Sequence, residues 1–225
     1  MANPVPVITI DGPSGTGKGT IAYALSRHLQ WHLLDSGALY RIVAVGTAAQ
    51  GIDPGQIDEI CRFAREMEVS FSTVFPGSIS LNGEEISALV RLEESGAKAS
   101  VVAAIPALRT ELLGRQRAFR VPPGLVADGR DMGTVIFPDA YPKFFLTASA
   151  EVRAERRYKQ LINKGVDVNL RALLLDIQTR DERDSKRSVA PLMPAEDAIL
   201  IDTSRMGADA VFALVLREVT RALKT

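Results

Sequence analysis

The chain has 225 residues, 46% of them apolar and 24% charged, with 27 basic side chains against 27 acidic ones. That balance suits a folded α/β domain with a substantial core and excludes a disordered chain. It also leaves no global charge to attract nucleic acid or a membrane surface. The one cysteine, Cys61, can form no internal disulfide, which suits a reducing cytoplasm. The amino-terminal MANPVPVITI lacks the basic region and long apolar run of a signal peptide. The longest nearly apolar stretch, Val101 to Leu108, is too short to span a bilayer, so the expected compartment is the cytoplasm.

In chain order, Val5 to Ile10 (VPVITI) predicts a strand buried on both faces. It runs into Asp11 and a glycine-rich loop, Gly12, Pro13, Ser14, Gly15, Thr16, Gly17, Lys18, Gly19 and Thr20. The phosphate-binding pattern is G-x-x-x-x-G-K-[ST]. Gly12, Gly17 and Lys18 fit it, but Gly19 stands where the magnesium-binding hydroxyl should be, and Thr20 comes one residue late. Gly19 to Leu29 then predicts a helix with Ile21, Ala22, Leu25 and Leu29 on one face. Strand, glycine loop and helix together make a phosphate site, in which backbone N–H groups, a helix N-terminus and Lys18 all face the anion.

A short strand at Leu33-Leu34 follows, with Trp31 and His32 read as packing beside it and Asp35 as a ligand contact or a cap for the helix from Ser36. The rhythm breaks at Val69 to Phe75 (VSFSTVF), which alternates before Pro76-Gly77. Ser78 to Leu81, the Asn82-Gly83 turn and Glu84 to Ile86 complete an expected hairpin, giving about three antiparallel strands inserted into the parallel domain. Further strands are expected at Leu125 to Asp128, Lys143 to Leu146 and Ala198 to Asp202, then a final helix from about Ala208 to Leu223. Apolar strands alternating with helices imply a five-stranded parallel sheet with helices on both faces. Its ligands belong at the carboxyl ends of the strands, where Asp11, Asp35, Asp128 and Asp202 stand.

Arginines cluster after several of these strands. Ser36, Tyr40 and Arg41 lie in LLDSGALYR, Arg130 and Asp131 in ADGRDMGT, and Arg180, Arg183, Asp184 and Arg187 in TRDERDSKR. Guanidinium groups grip phosphate bidentately, so a second phosphate pocket at Ser36, Arg41 and Arg130 would face a donor on the glycine loop. Equally, 180–187 reads as a solvated helix face, in which Arg180 and Asp184 pair at i,i+4 and Arg183 and Arg187 repel unless an anion lies between them. Arg153 and Arg157 in EVRAERR fit either a lid that delivers arginines to the transferred phosphate or a solvated basic helix. A guanine-reading N-K-x-D is missing, since NKGVD, Asn163 to Asp167, places its aspartate one residue too far. The two histidines and Cys61 have no metal-ligand spacing, and Met132 reads as packing.

GPSGTGKGT, LLDSGALYR, DGRDMGT and RDERDSKRSVAPL together resemble the bacterial cytidylate kinases, within the nucleoside monophosphate kinases, from about Val7 to Asp202. The resemblance accounts for G-K-G-T, which those kinases share. It implies a P-loop NTPase fold in one kinase domain, 1–225, containing an NMP-binding insert at 53–105 and a helical lid and substrate-binding segment at 151–187. The implied reaction is transfer of the ATP γ-phosphoryl to CMP or dCMP, in pyrimidine nucleotide metabolism. The glycine loop would bind ATP; Lys18, Arg180, Arg157 and Arg153 would be catalytic. Ser36, Tyr40, Arg41, Ser100, Arg109, Arg130, Asp131, Arg180, Asp184 and Arg187 would bind CMP. Of these, Ser100, Arg109 and Asp131 would read the cytosine edge, and Arg180 with Asp184 the ribose. The implied cofactor is Mg2+ carried by ATP, with no direct protein ligand and an outer role for Thr20 and Asp128. The expected partners are these small substrates alone, with no nucleic acid or membrane, acting on a monomer. A kinase of another small acceptor and a slow nucleotide switch stay open as alternatives. Acceptor-dependent ADP formation separates the two kinases from the switch.

Overall fold

Five parallel strands in the order β2-β6-β1-β7-β8 make the main sheet of the computed structural model, which describes residues 5–71, 78–163 and 165–224. They are β1 (Val7–Asp11), β2 (His32–Asp35), β6 (Leu125–Gly129), β7 (Lys143–Thr147) and β8 (Ile199–Asp202). Every residue of β1 and β6 is buried, whereas β2 and β8 bury one residue each fully. The strands that read as continuous apolar runs are thus the central ones, and the weakly marked Leu33-Leu34 lies on an edge. β1 pairs with both β6 and β7, which sets Asp11 beside Gly129 and Phe145. Ile8, Ile10, Val126, Phe144 and Leu146 of these strands form one core with Ile21, Ala22 and Leu25 of α1 (Lys18–Leu29) and Val211, Val215 and Val219 of α9 (Ala208–Ala222). Each of the larger side chains among these, fully buried, contributes roughly 1.5–3 kcal/mol. Helices α7 (Ala150–Ile162) and α8 (Leu170–Ser185) pack against each other in the same part of the chain.

The chain forms two compact units, one comprising 1–35 with 117–225 and the other Ser36–Gln116. The second has its own core, with Leu108 and Leu112 of α6 (Pro106–Arg117) meeting Ile42 and Val43 of α2 (Ser36–Ala49) and Ile60 of α3 (Ile57–Glu66). Helix α5 (Glu93–Val102) packs along α2, and the short α4 (Ser87–Val90) packs on both. The same unit carries the antiparallel sheet β3-β4-β5, formed by Val69–Phe71, Ile79–Leu81 and Glu84–Glu85. Asn82 and Gly83 turn that hairpin with φ of 50° and 86°, the left-handed pair that a type I′ turn requires. The part of the expected strand and turn at 72–77 lies outside the described residues.

His32 departs from its expected packing role. It is exposed, and its Nε2 lies 2.9 Å from the carbonyl of Pro122, because β2 is an edge strand that turns this residue outward. Trp31 does pack, lying over Gly124.

Candidate functional site

The glycine loop joins the buried end of β1 to the first turn of α1, with positive φ at Gly12, Gly15 and Gly17. Helix α1 has no acidic residue in its first turn and no side-chain cap at Gly17, an arrangement suited to an anion at its N-terminus. Lys18 folds back over the loop, its ammonium donating to the carbonyl of Pro13 at 3.3 Å and lying 3.9 Å from Asp128 Oδ1. Burial, reinforced by Arg130 and Arg180 and opposed by Asp128 and Asp35, pushes the Lys18 amine down to about 8. Thr16 is buried, and its hydroxyl donates to Pro13 O at 3.2 Å.

Gly19 lets Asp128 approach the loop closely: a Cβ there would lie 3.0 Å from Asp128 Oδ2. The position of the missing hydroxyl therefore lies against a buried carboxylate, with the partly buried Lys18 beside it. That donor set fits a hydrated divalent cation held on nucleotide phosphates and reached by Asp128 through water, with Thr20 exposed nearby in the chain. Among the described residues no three His, Cys, Asp or Glu side chains converge on one point.

Around the same loop the arginines are ordered by carboxylates. Arg130, directly after β6, donates from Nε to Asp184 Oδ2 at 3.0 Å, and Arg187 pairs with Asp184 Oδ1. Burial alone would raise the Asp184 carboxyl, but Arg130, Arg187 and Arg180 outweigh it and hold it below its ordinary value. Arg180 reaches Ser14 Oγ at 3.4 Å. The expected repulsion of Arg183 and Arg187 does not arise. Helix α8 ends at Ser185, so Arg187 leaves the helical register and folds back on Asp184 instead of stacking on Arg183.

Arg153 is 3% exposed, which excludes a solvated face at this position. Its guanidinium grips Asp181 of α8 through both terminal nitrogens and donates to Ser14 O at 3.1 Å and Ala148 O at 2.9 Å. Arg157, one turn further along α7, is half-buried and donates to Gln160 at 3.1 Å. Two supports escaped the motif reading. Asp181 is one, because its partner is 28 residues distant and no spacing rule joins them. Arg156 is the other: it donates to the Thr203 hydroxyl at 3.1 Å, and that hydroxyl lies 3.1 Å from Thr16 O in the glycine loop.

Within Ser36–Gln116, Ser36 and Tyr40 are buried on the first turns of α2, and Arg41 donates to Val90 O of α4 at 3.1 Å. Arg109 of α6 is buried, donates to Ala103 O at 3.2 Å, and stacks its guanidinium 5.6 Å from the Tyr40 ring centre. Ser100 is 2% exposed on α5, which packs along α2. The fold thus gathers the expected acceptor residues of this unit onto packed helices.

A sequence model of the family described as cytidylate kinase matches residues 8–221. The chain belongs to the cytidylate kinase family. A cytidylate kinase of Pseudomonas aeruginosa (strain UCBPP-PA14) is 55% identical over 225 residues, covering 98% of each chain. One of Shewanella baltica (strain OS155) is 51% identical over 226 residues, covering 99% of this chain and 98% of its own. A solved gluconokinase structure from Sinorhizobium meliloti 1021 covers 96% of this chain and 93% of its own, at 15% identity and a TM-score of 0.47. The cytidylate kinase match contains the glycine loop, the Arg130-Asp131 turn, and Arg180, Asp184 and Arg187.

Proposed function

We propose that this chain transfers the γ-phosphoryl group of ATP to CMP and dCMP, giving ADP with CDP or dCDP. The observation that carries this reading is family membership across residues 8–221, which spans the donor loop and each acceptor motif.

In this reading the nine loop residues Gly12 to Thr20 bind the ATP phosphates, and Lys18 supplies the full positive charge. Ser36, Arg41, Arg130 and Arg187 take the acceptor phosphate, and Tyr40 shapes that pocket. Arg180 and Asp184 engage the ribose, while Ser100, Arg109 and Asp131 read the base. Cytosine offers an amino donor, which Asp131 and Ser100 accept, beside N3 and O2, to which Arg109 donates. Uracil presents an oxygen in place of the amino group, setting oxygen against carboxylate. Sites built on such buried complementarity discriminate by factors on the order of 10⁴. No general base is needed, because the attacking atom is already a phosphate oxygen anion; positioning and positive charge lower the barrier. Arg180, Arg153 and Arg157 are the proposed cationic contributors, with Arg153 acting from its clasp on Asp181 and Ser14. Mg2+ bound to ATP neutralises phosphate charge; Asp128 and Thr20 would hold its water shell. We assign 53–105 as the NMP-binding insert and 151–187 as the lid and substrate-binding segment of one kinase domain. The chain acts as a monomer in the cytoplasm, in accord with a single cysteine, which is buried. No described helix is long and apolar enough to cross a membrane.

A coupled ADP-release assay with Mg-ATP and CMP, dCMP, UMP, AMP, GMP or no acceptor tests the reading. Fast turnover with CMP and dCMP alone is expected. ADP release indifferent to the acceptor would leave only a phosphate loop standing.

A further inference from the structure

Asp11 ends β1 immediately before the glycine loop, and it is 4% exposed. Its carboxylate does not face that loop's amides. It reaches across the sheet end to the segment after β6, where Oδ1 accepts from the N–H of Met132 at 2.9 Å and Oδ2 from the N–H of Gly133 at 2.8 Å. Those two amides open a π-helical turn, Met132–Ile136, so they are the leading donors that helical hydrogen bonding cannot satisfy. The natural local cap for them is Asp131, which stands at the N-cap position, yet its side chain makes no capping bond. Asp11 has taken over the capping task from a different strand. The residues directly ahead of the capped amides are Arg130 and Asp131.

We infer that Asp11 is a positioning residue for base recognition: its two hydrogen bonds cap the Met132–Ile136 turn, which spares the Asp131 carboxylate from capping and sets its direction. The inference rests on the proposed reading that Asp131 contacts cytosine. It also ties the donor loop to the base-reading turn, since Asp11 and Gly12 are adjacent in the chain.

The cap is sensitive to protonation. Burial, opposed by the two amides and aided by the Asp131 and Asp128 carboxylates, pushes the Asp11 carboxyl up to about 7. From β7 the neighbouring cation is Lys143, which contacts the space at Gly133 and commits its ammonium to Pro138 O and Asp197. Above pH 7 both oxygens of Asp11 accept as an anion; below it, a proton occupies one of them.

The test is the ratio of kcat/KM for CMP to kcat/KM for UMP, measured in the wild type, Asp131→Asn and Asp11→Asn, with KM for ATP measured alongside. Both acceptors share the phosphate, the donor and Lys18, so the ionisation of those groups cancels in the ratio. Asp11→Asn turns one acceptor into a donor facing an N–H. It is expected to lower the ratio by about tenfold, the scale of one lost charge-assisted hydrogen bond, with KM for ATP changed less than about threefold. A merely structural role would lower both acceptors equally and leave the ratio alone. If Asp131→Asn changes the ratio and Asp11→Asn does not, the positioning inference is overturned while base reading by Asp131 stands. If neither changes it, both fall. Should Asp11→Asn fail to fold, the wild type decides: its ratio is expected to rise between pH 6 and pH 8 with a midpoint near 7, and a flat ratio overturns the inference.

Discussion

At the residue scale, the site depends on charges whose surroundings work against one another. Lys18 sits partly buried near Arg130 and Arg180, with Asp128 and Asp35 as its counter-charges, and desolvation with those cations brings its amine down to about 8. In the free enzyme it is protonated below that pH and loses its charge above it. The value of kcat/KM for ATP is therefore expected to fall on the alkaline side with a midpoint near 8. Lys18→Arg, charged throughout, should be slower but should lack that limb; a limb unchanged in Lys18→Arg would assign it to another group. The proposed role of Lys18 as a phosphate ligand rests on G-K and its flanking strand and helix, because motif and flanking pattern are local. Its lowered basicity was not legible there, because Arg130 and Arg180 reach it only through the fold. Asp184 shows the same division. Its spacing pointed to Arg180, which does help to hold the carboxyl charged, but not to Arg130, which lies 54 residues away and donates to one of its oxygens.

At the element scale, α7 and α8 are fastened by Arg153 and Asp181. The guanidinium is almost wholly buried, so losing its partner strands a charge that cannot return to water. Removing one member of a buried pair costs roughly 3–5 kcal/mol, and the lower end applies here because Asp181 is 27% exposed in its side chain. Asp181→Asn is expected to lower unfolding stability by about 3 kcal/mol in urea titration, and Asp181→Asn with Arg153→Met by less than the single change. A single change within about 0.5 kcal/mol of wild type would reduce the pair to a surface contact. The helical pattern of α7 was plain from the chain, but i,i+4 spacing left Arg153 between a lid and a solvated face. Only the packing of α8 against α7 decides that, and it decides against solvation. The hairpin is the opposite case: Asn82-Gly83 specifies its own turn, because positive φ is a property of those two residues.

At the scale of the whole molecule, an acceptor that binds the native chain and not the unfolded one should stabilise it. At 100 times its Kd, CMP stabilises by about 2.7 kcal/mol. For a chain of this size that is a rise in Tm of roughly 5–10 °C. UMP at the same concentration should give a much smaller shift in thermal denaturation. Equal shifts with both nucleotides would mean that binding is phosphate recognition without base reading.

The chain by itself determined the five parallel strands, the glycine loop with the helix after it, the last helix, the hairpin and the family motifs, since each is written in residues close together in sequence; it did not mark the helices between Ile57 and Arg117. Their chemistry is local: apolar runs for central strands, glycine where the backbone turns, lysine and arginine where phosphate is proposed to bind. Tertiary structure alone decided that Asp11 caps a turn more than a hundred residues away, that Asp181 holds Arg153, and that His32 faces outward from an edge strand. Those outcomes depend on which strand lies beside which. Hydrogen bonds and ion pairs act over a few ångströms of space, and only the folded chain brings such distant residues within that range.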